Sequence, residues 1–298
     1  METAIAFRWL GVAGIELAVN GQTLVVDPFF TRPPLRRLWW GRVCPDRDLI
    51  AAKLRRCTFV LVTHAHWDHV LDVPEVARRT GARVCGSANT CDLLRVCGVP
   101  PAQIRQIRAG DRLTLGPYHL TVLPAQHGSI GVDRLLGGPL PPNLRPPLRI
   151  RDCRMDDCFS FLISAGGQRL LCAPGERPED AAPADVLFVH THRPEAYYEA
   201  LLRVVQPALV VPYHWDDFFR PLSKPLRPFF KPTWRALPPL ERMNPLRLGR
   251  RIAQIAPTAR VLVPEPFHTY ELSTLAAQQR PPTQTSRSAH RSDKEGIR

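Results

Sequence analysis

The chain has 298 residues, of which 44% are hydrophobic, and it carries a formal net charge of +13 at neutral pH. This length and apolar content exclude global disorder and allow one large or two small folded domains. The longest apolar runs are far too short to cross a bilayer, so no membrane-spanning helix is expected.

The cellular location is predicted from the N-terminus and from the cysteines. The opening stretch "METAIAFRWL" has an early acid and no long apolar core, so it does not resemble a signal peptide. Eight cysteines are scattered without C-x-x-C spacing, which is typical of a reduced, intracellular chain. Cys153 and Cys158 flank a polar loop and could pair, but buried or idle thiols are the favoured interpretation. We therefore expect a cytoplasmic protein.

The first hundred residues predict short strands followed by alternating strands and helices. A hairpin is indicated at Asn20-Gly21, and "TFVLV" is a continuous apolar run of the kind found in strands buried on both faces. The stretch "DVPEVARR" predicts a helix start with Asp72 as its cap. The predicted strands are 4–10, 15–19, 23–26, 58–62 and 82–86, with a further helix over 88–97.

The remainder of the chain continues the alternation and then loses it. Strands are predicted in four stretches, "DRLTLGPYHLTVLPA", "CFSFLISAGGQRLLCA", "DVLFV" and "ALVVP". Helices are predicted over "PEAYYEALLRVVQ" and near 246–256, with a last strand at 260–263. This order predicts two stacked sheets covered by helices. We expect one folded domain over 1–275 and a disordered basic tail over 276–298.

The stretch "LVTHAHWDHV", Leu61 to Val70, contains a cluster of candidate metal ligands. His64 and His66 are two residues apart after a strand, so an extended backbone points both side chains the same way. Asp68 and His69 follow on a turn. Imidazole and carboxylate groups are the ligands that zinc, manganese and iron accept, so four of them within six positions predict a metal site. A single histidine at a strand end would instead be merely packed or exposed.

This motif resembles that of the metallo-β-lactamase superfamily, and the resemblance extends over roughly residues 5–270. Within the superfamily, the opening "W-L-G-x-A-G" (Trp9 to Gly14) and "DHVLDVP" resemble the branch of N-acylphosphatidylethanolamine phospholipase D and the ascorbate-6-phosphate lactonases. Val12 departs from that branch, which often has a histidine there. The resemblance implies an α/β fold, a four-layer αββα sandwich of two mixed sheets flanked by helices.

The resemblance also implies two divalent metal ions, with zinc first and manganese or iron as alternatives. One ion would be held by His64, His66 and His127. The other would be held by Asp68, His69 and His214. Asp27, after "LVV", would orient a ligand imidazole from behind it. Glu176 in "LLCAPGERPED" is the candidate bridge between the ions, where the superfamily normally has an aspartate. The alternative is a solvated Glu176 and a single-metal centre.

Catalysis would then use a hydroxide held by the metal ions, which attacks an electrophilic carbon or phosphorus. The predicted catalytic residues are Asp68, which is itself a ligand, and the pair His190 and His192. This pair again follows a strand with two-residue spacing and could donate a proton to a leaving group or contact the substrate. Alternatively, the pair merely ends the strand and starts the next helix.

The excess positive charge lies in three segments, 32–42, 134–154 and 220–235, which together account for the whole net charge. Each begins just after a predicted site element, so we expect all three to surround the metal site. They are also rich in proline and aromatic residues. Guanidinium groups bind phosphate and carboxylate well, and exposed aromatic rings suit an acyl chain or a membrane surface.

These segments predict an anionic, partly apolar substrate, either a small molecule or a lipid. The first hypothesis is hydrolysis of a phosphodiester or phospholipid-like ester, with peripheral contact at the inner membrane surface. The alternatives are a lactonase acting on a phosphorylated sugar-like lactone, and a non-hydrolytic, single-metal binding protein. Solvated basic loops or an RNA-binding surface would also explain the charge, but the chain shows no added nuclease domain, which disfavours nucleic acid as a partner. The sequence does not determine the oligomeric state.

Overall fold

The computed structural model describes residues 4–38, 41–127, 136–173, 175–191, 193–232 and 240–277. The predicted catalytic residue His192 and nearly all of the predicted tail lie outside these ranges, as do parts of the three basic segments. Within the described ranges, two seven-stranded sheets, one two-stranded sheet and several helices are formed.

The strands of the described residues are numbered in chain order. They are β1 (Ala6–Gly11), β2 (Gly14–Val19), β3 (Gln22–Val26), β4 (Phe59–Leu61), β5 (Arg83–Gly86), β6 (Ile104–Gln106), β7 (Arg112–Leu115), β8 (Tyr118–Pro124), β9 (Phe159–Ala165), β10 (Gln168–Cys172), β11 (Val186–His190), β12 (Leu209–Tyr213), β13 (Phe230–Pro232), β14 (Leu240–Arg242), β15 (Arg260–Val261) and β16 (Thr269–Glu271).

The helices of the same residues are mostly short. They are α1 (Arg47–Lys53), α2 (Trp67–Val70), α3 (Val73–Thr80), α4 (Ala88–Val96), α5 (Glu195–Val205), α6 (Pro245–Ile255) and α7 (Leu272–Ala277). Short 3-10 helices cover Leu35–Leu38, Pro101–Gln103, Ile150–Asp152 and Pro178–Asp180.

Both large sheets are mixed. The first has the order β16-β1-β2-β3-β4-β5-β6 and the second the order β15-β12-β11-β10-β9-β8-β7. In the first sheet, β1 to β3 are antiparallel and β3 to β6 are parallel. In the second, β7 to β10 are antiparallel, whereas β10, β11, β12 and β15 are parallel. The carboxyl ends of parallel strands meet at one edge of a sheet, where binding residues commonly lie.

Strand β11 shows why the sheets and helices form four layers. Its side chains alternate between the two faces of the sheet, and every one of its first four is buried. Val186 and Phe188 belong to the core between the sheets, and the ring of Phe188 packs against Phe7 of β1 at 5.0 Å. Leu187 and Val189 belong instead to a second core, formed with helices α5 and α6. The predicted sandwich of two mixed sheets flanked by helices is therefore confirmed.

Most predicted elements are present within a residue or two of their expected bounds. The hairpin between β2 and β3 turns at Asn20 and Gly21, which have φ values of 49° and 74°, as a two-residue turn of this kind requires. Helices α1, α2 and α7 and strands β6, β13, β14 and β16 were not predicted. The four strands have three residues each and the helices have seven, four and six, so each is too short for a recognisable period.

Asp72 corrects a local expectation. It occupies the N-cap position of α3, yet its side chain makes no capping hydrogen bond. Its carboxylate instead accepts hydrogen bonds from the backbone nitrogens of Phe30 and Thr31, at 2.6 and 2.7 Å. Burial raises the pKa of Asp72 to about 6, against the opposing effect of these hydrogen bonds. Asp72 therefore fixes the loop after β3 to helix α3.

Two further expectations concern the cysteines and the C-terminus. All eight cysteines are free thiols, so Cys153 and Cys158 do not form a disulfide. Helix α7 continues to Ala277, two residues into the predicted tail. None of the helices in the described part of the chain is both long enough and apolar enough to span a bilayer.

Candidate metal centre

The predicted site residues meet where parallel strands of both sheets end. Asp27 follows β3, and its backbone nitrogen donates to the carbonyl of Leu61 at the end of β4, at 3.0 Å. In the second sheet, His190 ends β11 and His214 follows β12. The two sheets are joined beside the site by a hydrogen bond of 2.9 Å from the backbone nitrogen of Phe159 to the carbonyl of Thr63.

The first donor set consists of His64, His66 and His127, and each residue offers a nitrogen within 4.8 Å of the others. Nε2 of His64 lies 3.1 Å from Nδ1 of His66. The His127 ring centroid lies 4.8 Å from those of both other histidines. Three converging imidazoles are a donor set that suits zinc and related divalent ions.

The second donor set consists of Asp68, His69 and His214, again with ligand atoms within 4.8 Å of one another. Oδ2 of Asp68 lies 3.6 Å from Nε2 of His69 and 3.6 Å from Nε2 of His214. The two sets are neighbours, since the rings of His64 and His69 are only 4.0 Å apart. The structure thus groups these six residues into the same two sets that the sequence predicted.

Asp27 and Thr63 form a buried network behind the donor histidines. Oδ1 of Asp27 accepts the backbone N–H of Thr63 at 2.8 Å, and Oδ2 accepts its hydroxyl at 2.6 Å. Oδ2 also lies 2.7 Å from Nδ1 of His69. Because this contact occupies Nδ1, it leaves Nε2 of His69 facing Asp68. Hydrogen-bonded carboxylates of this kind orient a ligand imidazole and raise its basicity.

Replacing Asp27 with asparagine is expected to weaken metal binding at the second donor set about 10- to 100-fold, because His69 loses its charged partner. Competition with a chromogenic chelator measures the affinity. The matched control is Asp48→Asn. Asp48 is exposed on α1, and its replacement removes the same charge. Equal affinity of the two variants would show that Asp27 does not orient the ligand.

The protonation states of the donors suit a divalent cation. Burial, reinforced by the neighbouring histidines, lowers the pKa of His64 well below its usual value, so its imidazole is neutral. Burial alone would raise the pKa of Asp68, but His69 and His214 hold it well below its usual range. For His69, burial by itself would lower the pKa, but the carboxylates of Asp27 and Asp68 outweigh it and raise the pKa above its usual value. Neutral imidazole and ionised carboxylate are the forms that bind metal, and the carboxylates favour positive charge at the second set.

His214 is positioned by a network that the sequence did not indicate. Its backbone has a φ of 55°, and its nitrogen donates to the carbonyl of Val12 at 3.0 Å. The Val12 nitrogen in turn donates to Oδ1 of Asp216 at 2.8 Å. The other oxygen, Oδ2, pairs with Arg32 at 2.9 Å, and both side chains of this pair are almost fully buried. The only sequence signal is that Asp216 follows His214 closely in "HWDD".

Arg32 therefore corrects one expectation about the basic segments. It belongs to the first segment, which was expected to present positive charge around the site. Its guanidinium is instead neutralised by Asp216 and also donates to the carbonyl of Asp217 at 2.8 Å. Arg32 is a structural residue that joins the first segment to the chain after His214.

Glu176 lies on the turn after β10. Its backbone nitrogen donates to the carbonyl of Gln126, the residue before His127 of the first donor set, at 2.9 Å. A side chain at Gly175 would collide with the same backbone, since a Cβ there would lie 2.5 Å from the Gln126 nitrogen. The carboxylate of Glu176 is paired with Arg193 at 2.6 Å and is 38% exposed. It is in neither donor set, so its role as a bridge between metal ions stays a prediction.

His190 lies next to the second donor set. Its ring centroid is 5.1 Å from that of His214, and its Nε2 is 2.9 Å from the hydroxyl of Tyr213. Burial raises the pKa of Tyr213 well above its usual value, so the phenol stays protonated. Its predicted companion, His192, lies outside the described residues. Sequence reasoning missed Tyr213, whose side chain looked like part of an apolar strand.

Trp67, within the motif, packs beneath the site. It is 4% exposed and contacts Phe29, Phe218 and Phe219 at centroid distances of 5.3, 5.6 and 5.4 Å. This aromatic cluster fixes helix α2, which carries Asp68 and His69. It also brings the chain just before the third basic segment next to the donor residues, because the rings of Phe218 and His214 are 6.5 Å apart.

A two-sheet α/β sandwich with a histidine- and aspartate-rich centre at the strand ends defines the metallo-β-lactamase fold. The model of the beta-lactamase superfamily domain matches residues 22–215 of this chain. The chain belongs to the beta-lactamase superfamily.

Relatives and solved structures agree with this placement. A relative from Sinorhizobium medicae, named as a metal-dependent hydrolase, is 32% identical over 135 residues, which cover 44% of this chain and 53% of the relative. The matched stretch thus spans about half of that relative. A relative from Carboxydothermus hydrogenoformans is also named as a metal-dependent hydrolase. It is 25% identical over 225 residues, which cover 70% of this chain and 84% of the relative.

Among solved structures, the metallo hydrolase Igni18 from Ignicoccus hospitalis matches with a TM-score of 0.57 at 19% identity, covering 90% of this chain and 98% of Igni18. This match supports the fold. The closer placement beside N-acylphosphatidylethanolamine phospholipase D stays a prediction.

Proposed function

We propose that the chain is a metal-dependent hydrolase that acts on an anionic, partly apolar ester. The observation that carries the proposal is the pair of adjacent donor sets at one sheet edge, with His64 and His69 in ring contact at 4.0 Å. A lone structural metal site has no need of a second donor set beside it. The names of the relatives from Sinorhizobium medicae and Carboxydothermus hydrogenoformans support the same reaction type.

The chain's own residues supply binding and proton handling. The first donor set would hold one divalent ion and the second set the other. Such ions lower the pKa of bound water and stabilise negative charge that develops on the substrate. Asp27 and Thr63 keep the His69 imidazole in one orientation. His190, next to the second set, is placed to give a proton to a departing alkoxide or phenoxide. We propose zinc as the ion, with manganese or iron as alternatives.

The charges around the site support an anionic substrate. The first and second basic segments touch, since the guanidinium of Arg42 donates to the carbonyl of Pro147 at 2.7 Å. The first and third segments are linked through Arg32 and the chain after His214. Phe218 and Phe219 add apolar surface beside the donor residues. A phosphodiester or phospholipid-like ester combines the required charge and apolar part.

The test of the proposed function is hydrolysis by the purified protein of a chromogenic phosphodiester and, separately, of a lactone, each with added Zn²⁺ or Mn²⁺. Elemental analysis of the protein as purified gives the identity and number of its metal ions. Release of the chromophore supports the phosphodiesterase, and opening of the lactone alone supports the lactonase. Failure of both reactions with metal-loaded protein would contradict the proposal.

A second function is favoured by one observation, the ion pair of Glu176 with Arg193. If Glu176 keeps this partner, the two donor sets have no bridging carboxylate from this turn. The chain would then be a binding protein that holds a single ion. One metal ion per chain, together with no turnover of either substrate, would support this alternative.

Replacing His190 with glutamine is expected to lower the hydrolysis rate about 100-fold or more, because the leaving group loses its proton donor. The metal content should be unchanged, since His190 is in neither donor set. Rate and elemental analysis are measured together. The matched control is His119→Gln, since His119 is exposed on β8. Equal rates in both variants would exclude a catalytic role for His190.

The location of the protein follows from the same proposal. We propose a cytoplasmic protein that touches the inner membrane surface peripherally if its substrate is a lipid. Basic segments with exposed aromatic and apolar residues suit such contact, and Phe230 and Leu35 are 41% and 59% exposed. Fractionation of cells that express the tagged chain, before and after a high-salt wash, tests this location.

A further inference from the structure

An open cleft of about 370 Å³ lies between the first and second basic segments. Its walls come from the loop at residues 141–145, from the 3-10 helix Ile150–Asp152 and from Arg42 of the first segment. Five arginines line it, and Asp152 is the single acidic residue among the lining residues. The arginines are Arg42, Arg145, Arg149, Arg151 and Arg154.

Within the described ranges, ion pairs do not neutralise the positive charge of this cleft. Asp152 accepts a hydrogen bond from the backbone nitrogen of Arg149 at 2.8 Å, and in the part of the chain that the structure describes, no carboxylate forms an ion pair with any of the five guanidinium groups. The Nε of Arg154 is buried and has no hydrogen-bond acceptor among the described residues. A buried donor without an acceptor is costly unless a ligand supplies one.

A second arginine-lined cavity, of about 440 Å³, provides the contrast. Its lining includes Arg247 and Arg251, which are paired with Glu241 and Glu195, and Arg193, which is paired with Glu176 outside the lining. Most of the positive charge there is already compensated by the protein. Among the described residues, the cleft of the second basic segment therefore has more arginines without an acidic partner than this cavity has.

The walls of the cleft are fixed before any ligand arrives. Arg42 donates to the carbonyls of Arg145 and Pro147 and so holds the loop in place. On the other side, the Asn89 amide donates to the carbonyls of Arg154 and Gly138, at 2.8 and 3.0 Å. Because the backbone of the walls is already fixed, only the arginine side chains lose conformational entropy when the cleft binds an anion.

The cleft is connected to the candidate metal centre through the chain. Arg154 of the cleft is soon followed by strand β9, which begins at Phe159. The backbone nitrogen of Phe159 donates to the carbonyl of Thr63, next to His64, at 2.9 Å. The segment that lines the cleft therefore leads directly to the candidate metal centre.

We infer that this cleft binds the phosphoryl group of an organic phosphate. Planar guanidinium groups bind phosphate oxygens through paired hydrogen bonds, and several converging arginines suit a doubly charged group. The inference deepens the proposed function and rests on it, because the phosphoryl group would belong to the substrate of the metal centre. Binding can nevertheless be measured without turnover.

The test is isothermal titration calorimetry of the whole protein with glycerol 3-phosphate at low ionic strength, with glycerol as the uncharged comparison. The double variant Arg145→Gln/Arg151→Gln is expected to bind at least about tenfold more weakly. Both side chains are exposed, so an unchanged melting temperature is expected. The matched control is Arg105→Gln/Arg112→Gln, which removes the same charge from exposed positions outside the cleft.

Wild-type affinity in the cleft variant would overturn the inference, as would an equal loss in the control, since that would reflect net charge alone. Co-sedimentation with phosphatidylcholine vesicles with and without phosphatidic acid identifies the source of the phosphoryl group. Loss of vesicle binding in the cleft variant supports a lipid headgroup, whereas loss of glycerol 3-phosphate binding alone supports a soluble phosphate. The wild-type protein could bind glycerol 3-phosphate in the cleft and yet hydrolyse no ester. That result would contradict the proposed function, whereas the assignment of the cleft as a phosphoryl-binding site would stand.

Discussion

Replacement of His66 with alanine is expected to abolish metal binding at the first donor set and to lower hydrolysis about a thousandfold or more. His66 contributes its imidazole to a set of only three residues, so the remaining pair binds a divalent ion weakly. A bound metal ion contributes several kcal/mol of transition-state stabilisation, and about 4 kcal/mol corresponds to a thousandfold change in rate. Elemental analysis and the hydrolysis rate measure the two effects.

The matched control for this variant is His119→Ala. His119 is exposed on β8 and belongs to neither donor set, so metal content and rate should equal those of the wild type. The His66 side chain makes no capping hydrogen bond to α2, and its loss should leave the fold intact. Unchanged metal content in His66→Ala would show that these histidines do not form a metal centre.

Replacement of Asp216 with alanine is expected to destabilise the protein by about 3–5 kcal/mol, because it leaves the buried charge of Arg32 without its partner. The side chains of this pair are 1% and 0% exposed, so water cannot compensate for the lost carboxylate. The Val12 nitrogen also loses its acceptor. Chemical denaturation measures the change in the free energy of unfolding.

The neighbouring residue provides a sharp control. Asp217 also pairs with an arginine, but its partner Arg227 is 52% exposed, and ion pairs of that kind contribute about 0–1 kcal/mol. Asp217→Ala should therefore cost much less than Asp216→Ala. In addition, Asp216→Ala should weaken metal binding at His214, whose backbone is held by Val12. Equal stability of the two variants would show that the buried pair is not a structural anchor.

The comparison of sequence and structure is most informative at the strand ends. His64 and His66 could be identified from the sequence because two-residue spacing after an apolar strand fixes their direction. Asp68 and His69 could be identified because they follow on the next turn. His127 and His214 could be placed only through the superfamily resemblance. Each is a lone histidine after its strand, and nothing local shows which other strand end it faces.

The short elements show a different limit. Strands β13, β14 and β16 have three residues each, and they are stabilised by pairing with another strand rather than by their own pattern. Strands β13 and β14 pair with each other. Strand β16 pairs with β1 at the opposite end of the chain. A sequence pattern of period two needs more residues than these strands contain.

The sequence by itself determined the alternation of strands and helices and the cluster of candidate metal ligands from His64 to His69. Local spacing and apolar periodicity carry that information, since both act over a few residues, whereas the sandwich fold and the two complete donor sets followed from the superfamily resemblance. Only the tertiary structure decided which charged side chains are neutralised by ion pairs within the protein. Arg32 and Asp216 are 184 residues apart in the chain, and they form a buried ion pair. Glu176 pairs with Arg193 while remaining 38% exposed. An ion pair depends on distance in space, and the folding of two sheets onto each other sets that distance.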